Sequence, residues 1–287
     1  MLGSDSDIPS RIGRTRVTFS RVASILTPAS GFVGAYDFTL NPYAGCSFGC
    51  EYCYARFFAR DDSLVETWGD WVQVKGNAVQ ALRRAMASRG KLRLAPGARI
   101  YMSSVTDPYQ PLEKRLGLTR SLLQELVAVQ PRLTIQTRSP LVTRDIGLLQ
   151  EFRHLRVNMT VPTDSEAVRL RYEPRSPAIA VRLRAAEALA AARVPVGITV
   201  SPMLPVIDAR NFGDRIARIR AAEYVTQYMK EGNVRFAAGS PAGAIRKLRE
   251  DGWTPERYRE ARAAIADVLA AHGLRLLEGR GGYAPVE

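Results

Sequence analysis

Apolar and polar positions along this chain switch repeatedly between a period of two and a period near 3.6. Residues 35–40 alternate like a half-buried strand and run directly into a polar loop. Residues 78–87 carry apolar side chains at 79, 82 and 86, one face of a helix. The pattern then recurs: strand over 99–103, helix over 118–129 ended by Pro131, strand over 133–136, short helix over 143–152. Residues 155–161 read as a strand with polar Asn158 and Thr160 interleaved, 178–192 as a helix, and 194–200 as a strand stopped by Ser201-Pro202 and Pro205. Repeats of this kind build a parallel sheet with right-handed crossovers.

The flanks are plainer. Residues 72–75 suit a short edge strand, 212–222 a helix, and a sixth strand falls at either 224–229 or 234–237. Residues 255–271 form a closing helix, with Pro255 at its first position and Gly273 just past its end. The expected organisation is a flexible basic tail over 1–22, a core domain over 23–240 and a C-terminal helical extension over 241–287. A chain of 287 residues holds one large α/β domain comfortably. No apolar run approaches membrane-spanning length, and the first ten residues lack the apolar stretch of a signal peptide, so the expectation is a cytoplasmic protein without a membrane partner.

Chemistry concentrates in Asn41-Pro-Tyr-Ala-Gly-Cys-Ser-Phe-Gly-Cys-Glu-Tyr-Cys-Tyr-Ala55, which contains all of the cysteines, Cys46, Cys50 and Cys53. Three thiols cannot form an even disulfide framework, and spaced this closely they suit a metal centre. They are also one ligand short of a closed zinc site or an ordinary iron–sulfur cluster. His154 and His272 are distant in sequence and lack zinc-ligand spacing. Other polar residues fall where strands end: Ser104, Thr106 and Asp107 after the second, Thr137, Arg138 and Ser139 after the third, Thr160 at the end of the fourth. In parallel α/β architectures working groups gather at those ends.

Cys46-x3-Cys50-x2-Cys53, with the aromatic Tyr52 before the last cysteine, resembles the signature of the radical SAM superfamily. Ser104-Val-Thr-Asp-Pro-Tyr-Gln-Pro111, Thr137-Arg-Ser-Pro with Arg144-Asp145, Glu173-Pro174 and Arg182 extend the likeness to the spore photoproduct lyase-like, or DNA repair photolyase-like, branch. The resemblance implies an α/β fold, a partial (β/α)6 TIM-type barrel, carrying one 4Fe-4S cluster on the three cysteines with S-adenosylmethionine (SAM) on its open iron. It further implies reductive cleavage of SAM to a 5′-deoxyadenosyl radical, with electrons from an external donor of flavodoxin or ferredoxin type. Carried over by position, Tyr52, Ser104, Thr106, Arg138, Thr160 and Arg182 would contact the cofactor, and Tyr54 would relay a hydrogen atom.

Two departures from that branch narrow the expectation. Its lyases return a hydrogen atom from a cysteine in the second-strand loop, where this chain has Ser104. An alcohol O–H is too strong a bond for that task, so dipyrimidine lesion reversal by that route is not expected. The Gly-Gly-Glu type motif that usually holds the SAM amino group is replaced by Ser103-Ser-Val-Thr-Asp107. Net charge enters last: at +13 it admits a nucleic-acid partner, with solvated surface arginine as the competing explanation. Lysine occurs only at positions 75, 91, 114, 230 and 247, and the arginines are scattered. The branch resemblance taken together with this charge makes a nucleic-acid base or nucleotide the favoured substrate. The alternatives are a small metabolite or peptide, or a metal-binding redox module without SAM chemistry.

Overall fold

The computed structural model describes residues 10–232 and 239–287. Its strands are β1 (Arg11–Ile12), β2 (Thr15–Ser20), β3 (Leu26–Pro28), β4 (Phe38–Leu40), β5 (Tyr43–Ala44), β6 (Trp71–Lys75), β7 (Arg99–Met102), β8 (Arg132–Thr137), β9 (Leu155–Thr160), β10 (Val196–Val200), β11 (Glu223–Thr226) and β12 (Leu276–Glu278). The main sheet runs β12-β11-β10-β9-β8-β7-β4-β3. All pairings from β4 to β12 are parallel, and β3 lies antiparallel on the outer edge. Because β3 and β12 are opposite ends of this order, the barrel is partial, as expected.

Its strands explain their own sequences. Every residue of β9 is buried: Leu155, Val157 and Met159 alternate with Arg156, Asn158 and Thr160. One set packs on the surrounding helices and the other points into the lumen. There, Gln136 of β8 donates to Thr160 Oγ1 (2.7 Å) and Thr199 Oγ1 (2.9 Å), and accepts from the Tyr101 hydroxyl (2.9 Å). Polar side chains from four adjacent strands thus satisfy one another inside the barrel. The crossover helices include Ala78–Ala87, Leu118–Val127 and Ile179–Ala191, close to their expected positions, and Ala209–Ala217, which starts and ends earlier than the expected 212–222.

Three expectations change. Residues 10–22 are not a flexible tail: β1 and β2 form a hairpin, and β2 pairs in parallel with β6. Thr15 and Val17 turn inward while Arg16 and Thr18 face water, so the arginines mask a period-two pattern whose partner strand lies 55 residues further on. Strand β6, expected at an edge, instead lies between β2 and β5 in a four-stranded sheet, β1-β2-β6-β5, that backs the cysteine loop. The C-terminal extension is not purely helical. Beyond helices Ala242–Glu250 and Pro255–Ala271, β12 adds a parallel strand to β11. The candidate sixth strand at 224–229 corresponds to β11, and the alternative at 234–237 lies outside the described residues. Among the described residues, no helix is long and apolar enough to cross a membrane.

Candidate active site

Strand β4 delivers the chain to the cysteine loop at the C-terminal end of the barrel. Gly45 (φ 76°) and Gly49 (φ 54°) adopt backbone angles that favour glycine. Gly45 also presses against β6: a Cβ there would meet the Trp71 carbonyl oxygen at 2.6 Å and its ring at 2.7 Å. Gly45→Ala is expected to displace the loop from its backing sheet and to destabilise the protein by about 1–3 kcal/mol. Thermal unfolding of the metal-free protein checks this. A melting temperature equal to wild type would mean that the loop is not held this way.

The loop is tied to the strand-end segments around it. Thr106 donates to the Gly45 carbonyl (2.6 Å), the Ser47 N–H donates to Gln110 Oε1 (2.9 Å), and Gln110 Nε2 donates to Thr106 Oγ1 (3.3 Å). Asp107, buried, accepts from the Tyr109 N–H (2.9 Å), Thr137 Oγ1 (2.8 Å) and the Arg138 N–H (2.9 Å), which locks the β7 loop to the end of β8. Asn41 joins in through Ser104 Oγ (3.3 Å) and the Val105 N–H (3.2 Å).

The three cysteines line a cavity at the C-terminal ends of the strands. Tyr52, Tyr54, Ser104, Thr106, Arg138 and Thr160 line the same cavity. Arg182 does not. Expected as a cofactor contact, it is fully buried behind the wall and paired with Glu173 at 2.6 Å. The histidines stand apart from the loop: His154 Nδ1 lies against the Glu287 carbonyl (2.8 Å), and His272 Nε2 lies 3.4 Å from Asp214.

Glu173, noted in the sequence only as part of the family likeness, was assigned no role there. Its carboxylate is fully buried and receives Arg182, Arg138 and the Tyr52 hydroxyl. Burial pushes its carboxyl up, but Arg182 and then Arg138 outweigh that and hold it below the usual carboxylate range. Arg138 in turn donates from Nη1 to Cys50 Sγ (2.9 Å) and Tyr52 OH (3.0 Å), with its guanidinium 5.9 Å from the Tyr52 ring centre. The pair Glu173-Pro174 in the sequence was the available signal, yet nothing local says what its carboxylate meets.

The donor set fits an iron–sulfur cluster. Burial is the largest influence on each thiol and pushes all three up, Cys50 to about 12. Three thiols shielded from water to this degree, Cys46 and Cys50 buried and Cys53 partly so, become thiolates together where a cationic centre compensates them. Among the described residues, no three Cys, His, Asp or Glu side chains converge as a single metal ion requires. A 4Fe-4S cube instead takes each thiolate on a different iron, and so suits thiols spread around a loop.

Comparison with known proteins bears on the same core. The family model of the radical SAM superfamily matches residues 40–219. An uncharacterized protein of Methanocaldococcus jannaschii is 34% identical over 168 residues, 58% of this chain and 61% of that protein. An uncharacterized protein of Acidianus two-tailed virus is 31% identical over 174 residues, 58% of this chain and 56% of that protein. The match thus spans less than two thirds of either relative. Among solved structures, a point mutant of spore photoproduct lyase superposes with a TM-score of 0.62 at 14% identity, covering 91% of this chain and 81% of that one. Streptococcus suis SuiB bound to S-adenosylmethionine superposes at 0.53 with 11% identity, covering 84% of this chain and 49% of that one.

Proposed function

The chain belongs to the radical SAM superfamily, and from that membership we propose that Cys46, Cys50 and Cys53 hold a 4Fe-4S cluster, with SAM bound beside it, to act on a nucleic-acid base or nucleotide. The observation that carries this reading is the shared cavity: all three thiols and the polar strand ends line one space. When bound, the cluster supplies the electron that breaks the sulfonium C–S bond of SAM and yields a 5′-deoxyadenosyl radical.

The chain's own groups then have distinct tasks. Arg138, charged at every working pH, offers its guanidinium to a carboxylate entering the cavity. Ser104, Thr106 and Thr160 present hydroxyls at the strand ends, and Gln136 orients that of Thr160. Phe32, Tyr101 and Tyr283 form the apolar wall, with Phe32 and Tyr283 in edge contact at 5.2 Å, and so exclude water from a reactive radical. Tyr54 is the hydrogen-atom relay. Its phenol O–H is weaker than the alcohol of Ser104, and its hydroxyl is held on the Ser104 carbonyl at the cavity wall.

The nucleic-acid preference is supported by the charge of +13 and by aromatic walls suited to stacking a flat base. Spore photoproduct lyase, whose fold this chain shares, has been solved with a dinucleoside spore photoproduct. An acidic electron donor of flavodoxin or ferredoxin type and a cytoplasmic location complete the proposal.

The test is anaerobic reconstitution with iron and sulfide, then dithionite and SAM, with and without single- and double-stranded oligonucleotides. The expected product is 5′-deoxyadenosine, formed faster when a nucleic acid is present. No product from a fully loaded protein would remove the enzymatic reading and favour a redox module. Product that ignores every nucleic acid would move the substrate to a small metabolite or peptide.

A further inference from the structure

Behind the cysteine loop lies a buried ionic set that binding of the cofactor does not by itself require. Arg138 is 16% exposed in its side chain, Glu173 and Arg182 are 0% exposed, and the three carry two positive charges and one negative, a net +1. Burying such groups carries a large desolvation cost, and well-packed apolar residues would hold the wall together as well or better. What ions add here is direction. Arg138 has a long side chain at the rim of a cavity, with water as a competing partner and several rotamers open to it. Glu173 removes that freedom, and Arg182 anchors Glu173. Arg182 is fixed in turn by the Pro177 carbonyl (2.8 Å) and the Thr160 carbonyl (3.3 Å), groups of rigid backbone. The Tyr52 hydroxyl closes the arrangement by donating to Glu173 while accepting from Arg138.

We infer that Glu173 is a positioning residue: it holds the Arg138 guanidinium against Cys50 and thereby sets how readily a cluster ligated there accepts an electron. This rests on the cluster assignment proposed above and extends it to a different property. A charged N–H donor on a thiolate withdraws electron density from it, and hydrogen bonds to cluster sulfurs are among the factors that set reduction potential. A donor held in place stabilises the more negative, reduced state; one that swings into water does so less.

The midpoint potential of the reconstituted protein, read by EPR during an anaerobic titration without SAM or substrate, tests this. Arg138→Met removes the donor and leaves the Glu173–Arg182 pair intact. The double variant Glu173→Leu/Arg182→Met removes one charge of each sign, so the local net charge stays +1, and it removes the acceptor that holds Arg138. The expected result for both is a tenfold lower reduced-to-oxidised ratio at the wild-type midpoint, a fall of about 59 mV for a one-electron couple. A role exerted through net charge alone predicts no change in the double variant. A wild-type potential in either variant would overturn the inference. The signal comes from whichever molecules carry a cluster, so partial loading does not blur the reading. A wild-type chain that takes up no cluster would overturn the assignment beneath it as well; one whose potential ignores these substitutions fails this inference alone.

Discussion

Replacing Cys50 with alanine is expected to abolish the brown iron–sulfur chromophore and to reduce 5′-deoxyadenosine formation to background, while the fold persists. The first effect follows from ligand count. Three thiolates already leave one iron without a protein ligand, and two would leave the cube held at half its corners. The second follows because the electron for SAM cleavage must pass through that centre. The third follows because Cys50 is buried in the metal-free protein: alanine removes one sulfur and its contact with Arg138, whose guanidinium keeps Glu173 and Tyr52 as partners, and leaves the surrounding core contacts in place. Iron and sulfide analysis, the visible spectrum and circular dichroism separate these effects. A Cys50→Ala protein that kept its chromophore would show that the cluster does not use this cysteine.

Glu173→Ala is expected to destabilise the metal-free protein by about 3–5 kcal/mol, the range for stranding buried charges by deleting their partner. Arg182 would lose its ion-pair partner with no route to water, and Arg138 and Tyr52 would lose a shared acceptor. Urea unfolding checks the size. For comparison, Glu256 and Arg259 pair at 2.5 Å with side chains 64% and 67% exposed, and Glu256→Ala should leave the midpoint unmoved. The pH dependence has a defined sign. Glu173 titrates below the usual carboxylate range in the folded state, mainly because Arg182 and Arg138 overcome its burial. Its contribution is therefore fully present above the ordinary carboxylate value and is lost as pH falls through its lowered folded value. The margin of wild type over Glu173→Gln should be largest near neutrality and shrink in acid. A margin independent of pH would mean that the carboxylate is not ionised in the fold.

Much of the site could be read along the chain because its information is local. The thiol spacing, the glycines of the loop and the polar residues that follow apolar runs each occupy a few consecutive positions. Strand ends in a parallel sheet converge whatever the details of packing, so Ser104, Arg138 and Thr160 could be placed near Cys50 before any contact was known. Thr106, expected beside the cofactor, lines the same cavity, and its hydroxyl holds the Gly45 carbonyl of the loop. Arg182 illustrates the limit. Its neighbourhood in sequence marks a helix start near a strand end, but whether a side chain there enters the cavity or turns behind the wall depends on what it meets, and it meets Glu173.

The hairpin of β1 and β2 failed for a related reason. Its alternation is genuine, but a two-stranded ribbon has little stability of its own, and the strand that completes it comes much later in the chain. The edge strand β12 likewise depends on β11 being available to pair with it.

By itself, then, the sequence determined the alternation of strands and helices, the parallel α/β class and the thiol trio with its missing ligand. Each is written in periodicity or spacing over a short window, where backbone geometry leaves few choices. Tertiary structure decided which polar groups share a carboxylate. Glu173 lies 35 residues from Arg138 and 121 from Tyr52, and those distances in sequence carry no preference of their own. Only the packing of strand ends and loops around the partial barrel brings the three together, out of water, where a charge must find its partner.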